Sequence, residues 1–219
     1  MLTGKISGWD GYTMTVEVPF DDVHVWEQKQ PTECEIILID SRTISADQRK
    51  KCYALFRDIH LYSGHAPDEV KEYMKYDFIA RTGRPEFSLS DVDRSTAREF
   101  ITHIIEFCLE YGVACQDSLL EMTDDIGKYL YLCLYHKKCC LCGKKAETHH
   151  VDHVGMGRNR KEICHVGHRA MALCRRHHDE CHQIGQKKFN GKYYVYGIKL
   201  DEILAKKLKL GKAERKFKA

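Results

Sequence analysis

The sequence predicts an α+β protein in two parts: a mixed strand and three-helix domain over residues 1–124, then a small cysteine- and histidine-rich domain over residues 125–219 with a connecting helix and a basic tail. Three observations predict it. Residues near the start alternate between apolar and polar, three later stretches carry apolar residues at helical spacing, and cysteines and histidines crowd into one segment of the C-terminal part.

Around Gly8-Trp9-Asp10-Gly11 the chain must turn, and Met14, Val16 and Val18 then alternate with Thr13, Thr15 and Glu17, the pattern of a β-hairpin. Residues 34–39 read as a further, mostly buried strand. Ser45-Ala46-Asp47-Gln48 is a capping-box pattern opening a helix to about residue 60, with Cys52, Leu55, Phe56 and Ile59 on one face and Lys50, Arg57 and Asp58 opposite. Pro67-Asp68-Glu69 starts a second helix, which Thr82-Gly83-Arg84-Pro85 breaks. A third spans about 95–111, its stripe formed by Ala97, Phe100, Ile101, Ile104, Ile105, Cys108 and Leu109, and Gly112 stops it. Such stripes are packing surfaces. A fourth helix, about 125–136, leads into the cysteine cluster.

No apolar run approaches the ~20 residues of a membrane span, and the first residues lack a secretory pattern, so a cytoplasmic setting is expected, with no membrane partner. A reducing compartment turns the eleven cysteines toward metal rather than disulfides. The net charge of +3 is unevenly spread. Residues 128–219 hold 22 Lys+Arg against 8 Asp+Glu, a balance of +14; residues 1–127 hold 13 against 24, a balance of −11. The basic part is suited to a polyanion, although a lysine-rich end can also simply be a solvated surface.

Between Cys139 and His182 lie six of the eleven cysteines and eight of the thirteen histidines. Cys139-x-x-Cys142-Gly143 places two thiolates on a tight turn, and Cys174-Arg175-Arg176-His177 supplies a second pair at the same spacing. Two such pairs fill a tetrahedral zinc with no open position, which is a structural site. His178 and His182, at i and i+4, share one helical face and could capture a second metal together. His149 and His150 are adjacent on an expected strand and therefore point to opposite sides, so one can ligate while the other does different chemistry. Gly155, Gly157, Arg158, Arg160 and Lys161 follow, a loop able to approach and hold phosphates.

The order Cys-x-x-Cys, His-His, glycine loop, Leu-Cys-x-x-His-His-x-x-x-His, over roughly residues 138–185, resembles the HNH endonucleases, in particular the branch that includes the colicin DNases. The resemblance implies a ββα-metal fold in which a strand and a helix grip one divalent ion, Mg²⁺, Mn²⁺ or Zn²⁺, beside the structural Zn²⁺. It implies that His149, His178 and His182 bind that ion, that His150 is the general base, and that cleavage leaves 5′-phosphate and 3′-hydroxyl ends. A histidine pKa near 6.5 suits a base at neutral pH. The family's central Asn would fall at Arg169, with His168 beside it, and Asp152-His153 offers an alternative ligand–base pair. A zinc-stabilised DNA-binding accessory protein without activity is the rival reading, and RNA the rival substrate.

Residues 41–50, Ser-Arg-Thr-Ile-Ser-Ala-Asp-Gln-Arg-Lys, look like an element of the phage Orf recombination-mediator family, which is associated with single-stranded DNA. That resemblance implies that Arg42, Gln48, Arg49 and Lys50 line a phosphate-binding surface; a plain capping box with a solvated basic turn is the competing account. Together the two likenesses imply a phage nuclease acting on single-stranded or branched recombination intermediates in the host cytoplasm. A homodimer, and contacts with recombination or single-strand-binding proteins, are compatible with it.

Overall fold

Two strands open the chain: β1 (Lys5–Trp9) and β2 (Met14–Glu17) pair antiparallel across a turn where Asp10 accepts from the backbone N–H groups of Tyr12 and Thr13. The computed structural model describes residues 4–34, 36, 38, 42–152 and 164–211. After the hairpin comes α1 (Val23–Lys29), capped by the Asp22 carboxylate, which accepts from Val25 N at 3.1 Å. The helix buries none of its residues, so it carries no apolar stripe by which to be read.

Contacts divide the chain into two units, Met1–Leu38 and Ile39–Ala219. The strand expected at 34–39 is corrected where it can be seen. Cys34, Ile36 and Leu38 are not in a strand, and Ile36 and Leu38 are exposed. Among the described residues, no third strand joins the β1–β2 ladder to give this run a partner or a covered face. The rest of the run lies outside the described residues.

The second unit begins with α2 (Ala46–Ser63), α3 (Pro67–Thr82) and α4 (Arg94–Tyr111). The capping box of α2 is complete: Ser45 Oγ accepts from Gln48 N and Gln48 Oε1 accepts from Ser45 N, each at 3.1 Å. Gly64, Gly83 and Gly112 end the three helices at φ +78°, +67° and +70°, the left-handed cap that only glycine adopts without cost. Every residue of the expected stripe on α4 is buried, and Phe100 meets Phe56, Phe78 and Phe87 edge-on or tilted. A fully buried phenylalanine in such a nest contributes about 3–5 kcal/mol relative to alanine.

Next come α5 (Leu119–Met122), α6 (Ile126–Tyr135), β3 (Glu147–His150), β4 (Arg169–Leu173), α7 (Arg175–Ile184), α8 (Gln186–Tyr193), β5 (Ile198–Lys199) and α9 (Glu202–Leu208). The three strands form one antiparallel sheet in the order β3-β4-β5, with His149 opposite Met171 and His150 opposite Ala170. The architecture is α+β, as expected. Helix α6 packs against both α4 and β4, so one continuous apolar core runs from Ile44 through the helices to Leu173, Phe189 and Leu204. Packing therefore breaks at 38/39, and 124/125 falls within one unit. No helix of the described residues is long and apolar enough to cross a membrane.

Candidate active site

The cysteine knuckle is a tight reversal. Cys139 N donates to Lys144 O at 2.7 Å and Gly143 N to Cys139 O at 2.8 Å, with Gly143 at φ +66°. The second pair sits at the start of α7, where Cys174 is the N-cap residue and His177 lies within the first turn. Cys139, Cys142, Cys174 and His177 bring their ligand atoms within 4.8 Å of one another. Their separations are 3.7 Å between the Cys142 and Cys174 sulfurs, and 3.3 Å from His177 Nδ1 to the sulfurs of Cys139 and Cys174. A tetrahedral zinc with bonds of about 2.3 Å to sulfur and about 2.0 Å to nitrogen has edges of roughly 3.5–3.8 Å, so the set fits such an ion. Burial pushes the Cys139 thiol up to about 12. Burial also opposes ionisation of Cys174, yet the backbone N–H of His177 and the sulfurs of Cys142 and Cys139 draw it below the ordinary thiol range.

The second cluster joins strand to helix. His149 on β3 and His178 and His182 on α7 also bring their ligand atoms within 4.8 Å. His178 Nε2 and His182 Nε2 face each other at 3.3 Å, the spacing of two nitrogens each about 2.0 Å from a shared tetrahedral ion. His149 is buried, His178 half-buried and His182 exposed, so the cluster is closed on the protein side and open on the other. Burial holds His149 and His178 below the ordinary histidine range, and neighbouring imidazoles add to this. Both are thus neutral at pH 7, the form that can ligate. Among the described residues no carboxylate joins this set.

The neighbouring residue takes the other side of the strand. His150 Nε2 lies 3.0 Å from Nδ1 of His165, which is buried. His165 was not singled out by spacing, and nothing local in the sequence couples two positions fifteen apart. Arg169, where the resemblance expects an Asn, grips the turn after His150. Its backbone N–H donates to Asp152 Oδ2 at 2.6 Å, and Nε and Nη2 donate to Oδ1 at 3.0 and 2.7 Å, while Val151 N donates to Arg169 O. Hydrogen bonds from the Arg169 side chain, then from its backbone, hold Asp152 below the usual carboxylate range. Both Asp152 oxygens are thus committed, and Asp152 is not among the clustered ligands. His153, Arg158, Arg160 and Lys161 lie outside the described residues.

Of the four positions expected to face DNA in and just before α2, Arg42 and Lys50 are exposed. Gln48 is corrected: it is buried, and besides closing the capping box it donates to Arg94 O at 3.2 Å, so it cannot line a surface. Arg49 is half-buried, its guanidinium donating to Leu89 O and Ser90 O, each at 2.8 Å, which ties α2 to the segment before α4.

An antiparallel strand pair followed by a helix, with imidazoles from strand and helix converging and a Cys/His set fastening their base, defines the class of ββα-metal nucleases. Over residues 14–211 the chain matches the family described as "Putative HNHc nuclease", and it belongs to that family. It is an HNH endonuclease, of a metal-dependent class. The match runs through α2–α4 as well as both Cys/His clusters, across position 124/125. No curated protein and no solved structure matches the chain significantly.

Proposed function

We propose that this endonuclease hydrolyses DNA phosphodiester bonds, with His150 as general base beside an ion held by His149, His178 and His182, and that its substrates are single-stranded or branched recombination intermediates of a phage. The observation that supports the chemistry most is the convergence of those three imidazoles from two elements, with His150 next along the strand. A divalent ion held there would supply a Lewis acid for the scissile phosphate and for the charge developing on the leaving 3′-oxygen. An all-imidazole ligand set favours a transition ion such as Mn²⁺ or Zn²⁺ over Mg²⁺. Cys139, Cys142, Cys174 and His177 would hold a structural Zn²⁺.

His150 takes the proton of the attacking water. His165, at 3.0 Å, fixes the plane of its ring, and the Asp152–Arg169 clamp fixes the backbone that follows it. The clamp gives the Arg169 position the orienting duty that the family assigns to Asn. Arg169→Ala should therefore lower single-turnover cleavage about tenfold, Asp152→Ala should do the same, and the double variant should be no worse than either, because the two act as one unit. Additive losses in the double variant would count against the clamp.

The substrate preference rests on less: the balance of +14 in residues 128–219 and the likeness of residues 41–50 to a single-strand-binding element. In this division of roles, 1–124 engages DNA through Arg42 and Lys50, and 125–219 cuts it, with Arg158, Arg160 and Lys161 on the flanking phosphates. Labelled duplex, single-stranded, flap and junction DNA and a matched RNA, each incubated with the chain in Mn²⁺ and in Mg²⁺, test this directly. Faster cutting of single-stranded or branched DNA is expected. Equal rates on plain duplex would remove the recombination reading, and preferential cutting of RNA would remove DNA.

A further inference from the structure

Gln186 touches the histidine cluster without belonging to it. Its side-chain oxygen lies 2.8 Å from His149 Nε2, and its amide nitrogen lies 2.6 Å from Asn190 Oδ1, one helical turn further along α8. The same nitrogen lies 3.6 Å from the sulfur of Met171, the residue directly across the ladder from His149. The oxygen also accepts from the thiol of Cys181 at 3.5 Å. The thioether sulfur of Met171 can only accept, so the end of the amide that faces it is the nitrogen. The end turned toward His149 is the oxygen, which can only accept. His149 Nε2 must then carry the hydrogen, and in a neutral imidazole the lone pair falls to Nδ1.

We propose that Gln186, oriented by Asn190, is a positioning residue that locks His149 in its Nε2–H tautomer and so presents Nδ1 to the ion. This rests on reading His149, His178 and His182 as an ion site. The local backbone serves the arrangement. Gly185 stands at φ +83°, ψ 149°, ending α7 three residues after His182 and starting α8 at Gln186. Outer partners of this kind orient a ligand imidazole, and removing one commonly weakens metal binding 10–100-fold.

The test uses the full chain with its structural zinc in place, Co²⁺ as the probe ion, and calorimetry and visible absorption as readouts. Gln186→Leu, close in size but without an acceptor, should weaken Co²⁺ binding about 10–100-fold, with zinc content and unfolding temperature near those of the parent chain. Gln186→Glu restores an acceptor for Nε2–H and should bind Co²⁺ at least as tightly as the parent. A purely structural role would not separate these two variants. Imidazole ¹⁵N shifts of the unsubstituted, Co²⁺-free chain read the tautomer without any variant: an Nε2–H signature for His149 is expected, and an Nδ1–H signature would overturn the proposal even if Gln186→Leu did not fold. His178→Ala separates the two levels of the reading. Loss of Co²⁺ binding there with none in Gln186→Leu would overturn the role of Gln186 alone, whereas unchanged binding in both would overturn the ion site and this proposal with it.

Discussion

Replacing His150 with alanine should lower DNA cleavage by about 10²–10⁴-fold, the span general-base catalysis contributes, while leaving the affinity for a divalent ion close to that of the parent chain. The split follows from the strand. Successive side chains on β3 leave opposite faces, so His149 meets α7 whereas His150 meets His165, and removal of one ring does not disturb the other's contacts. His178→Ala or His182→Ala should show the complementary pattern, in which ion affinity and cleavage fall together. Single-turnover rates at saturating Mn²⁺, set beside calorimetric titration of the ion, separate the two classes. An active His150→Ala chain would eliminate His150 as the base; and should His153→Ala prove inactive instead, the base would have to move there despite the commitment of Asp152 to Arg169.

The second large effect concerns the staple. Substituting serine for both Cys139 and Cys174 should reduce tightly bound zinc from about one per chain to near none, and should unfold the segment that carries the active histidines. Cys139 and Cys174 are buried with their sulfurs each 3.3 Å from His177 Nδ1, a crowding that brings the fold little unless an ion is shared. Structural zinc sites in small modules supply about 10–16 kcal/mol of apparent binding free energy, comparable with the whole stability of a domain, about 5–15 kcal/mol. Because thiols must lose their protons to bind, zinc affinity falls as pH falls, and acidification with a chelator should act like the double substitution. Elemental analysis and thermal unfolding by circular dichroism measure both; zinc retained at one per chain in the double variant would show that other residues hold it.

What could be read without coordinates was what the chain encodes locally. The i, i+3, i+4 stripe of α4, the glycine caps at Gly64, Gly83 and Gly112, and the two ligand pairs at Cys-x-x-Cys and Cys-x-x-His spacing all depend on neighbours within a turn or two. The approach of His149 to His178 and His182 needed one further premise, a likeness to a known nuclease order. His165 and Gln186 escaped notice because their partners lie fifteen and thirty-seven residues away, and no period links such positions. Gln48 was misjudged for a different reason: the residue that completes a capping box is also a residue type that can face phosphate, and only burial tells the two duties apart. Arg169 stands where the resemblance expects an asparagine, and only the coordinates show that its backbone and its fork together reach the turn after His150. Helices α1, α8 and α9 are short, with at most two buried residues apiece, too few to set a period.

The seating of α6 between α4 and β4 bears on how such a nuclease can be exchanged between proteins. Leu130, Leu132 and Leu134 of α6 are covered in this chain from more than one direction. A segment cut at 124/125 and transplanted would carry its chemistry intact but arrive with a bared greasy flank, inviting self-association before any nucleic acid is met. The packed unit here is accordingly larger than the stretch that bears the clustered cysteines and histidines, and swaps that respect it should begin before α2.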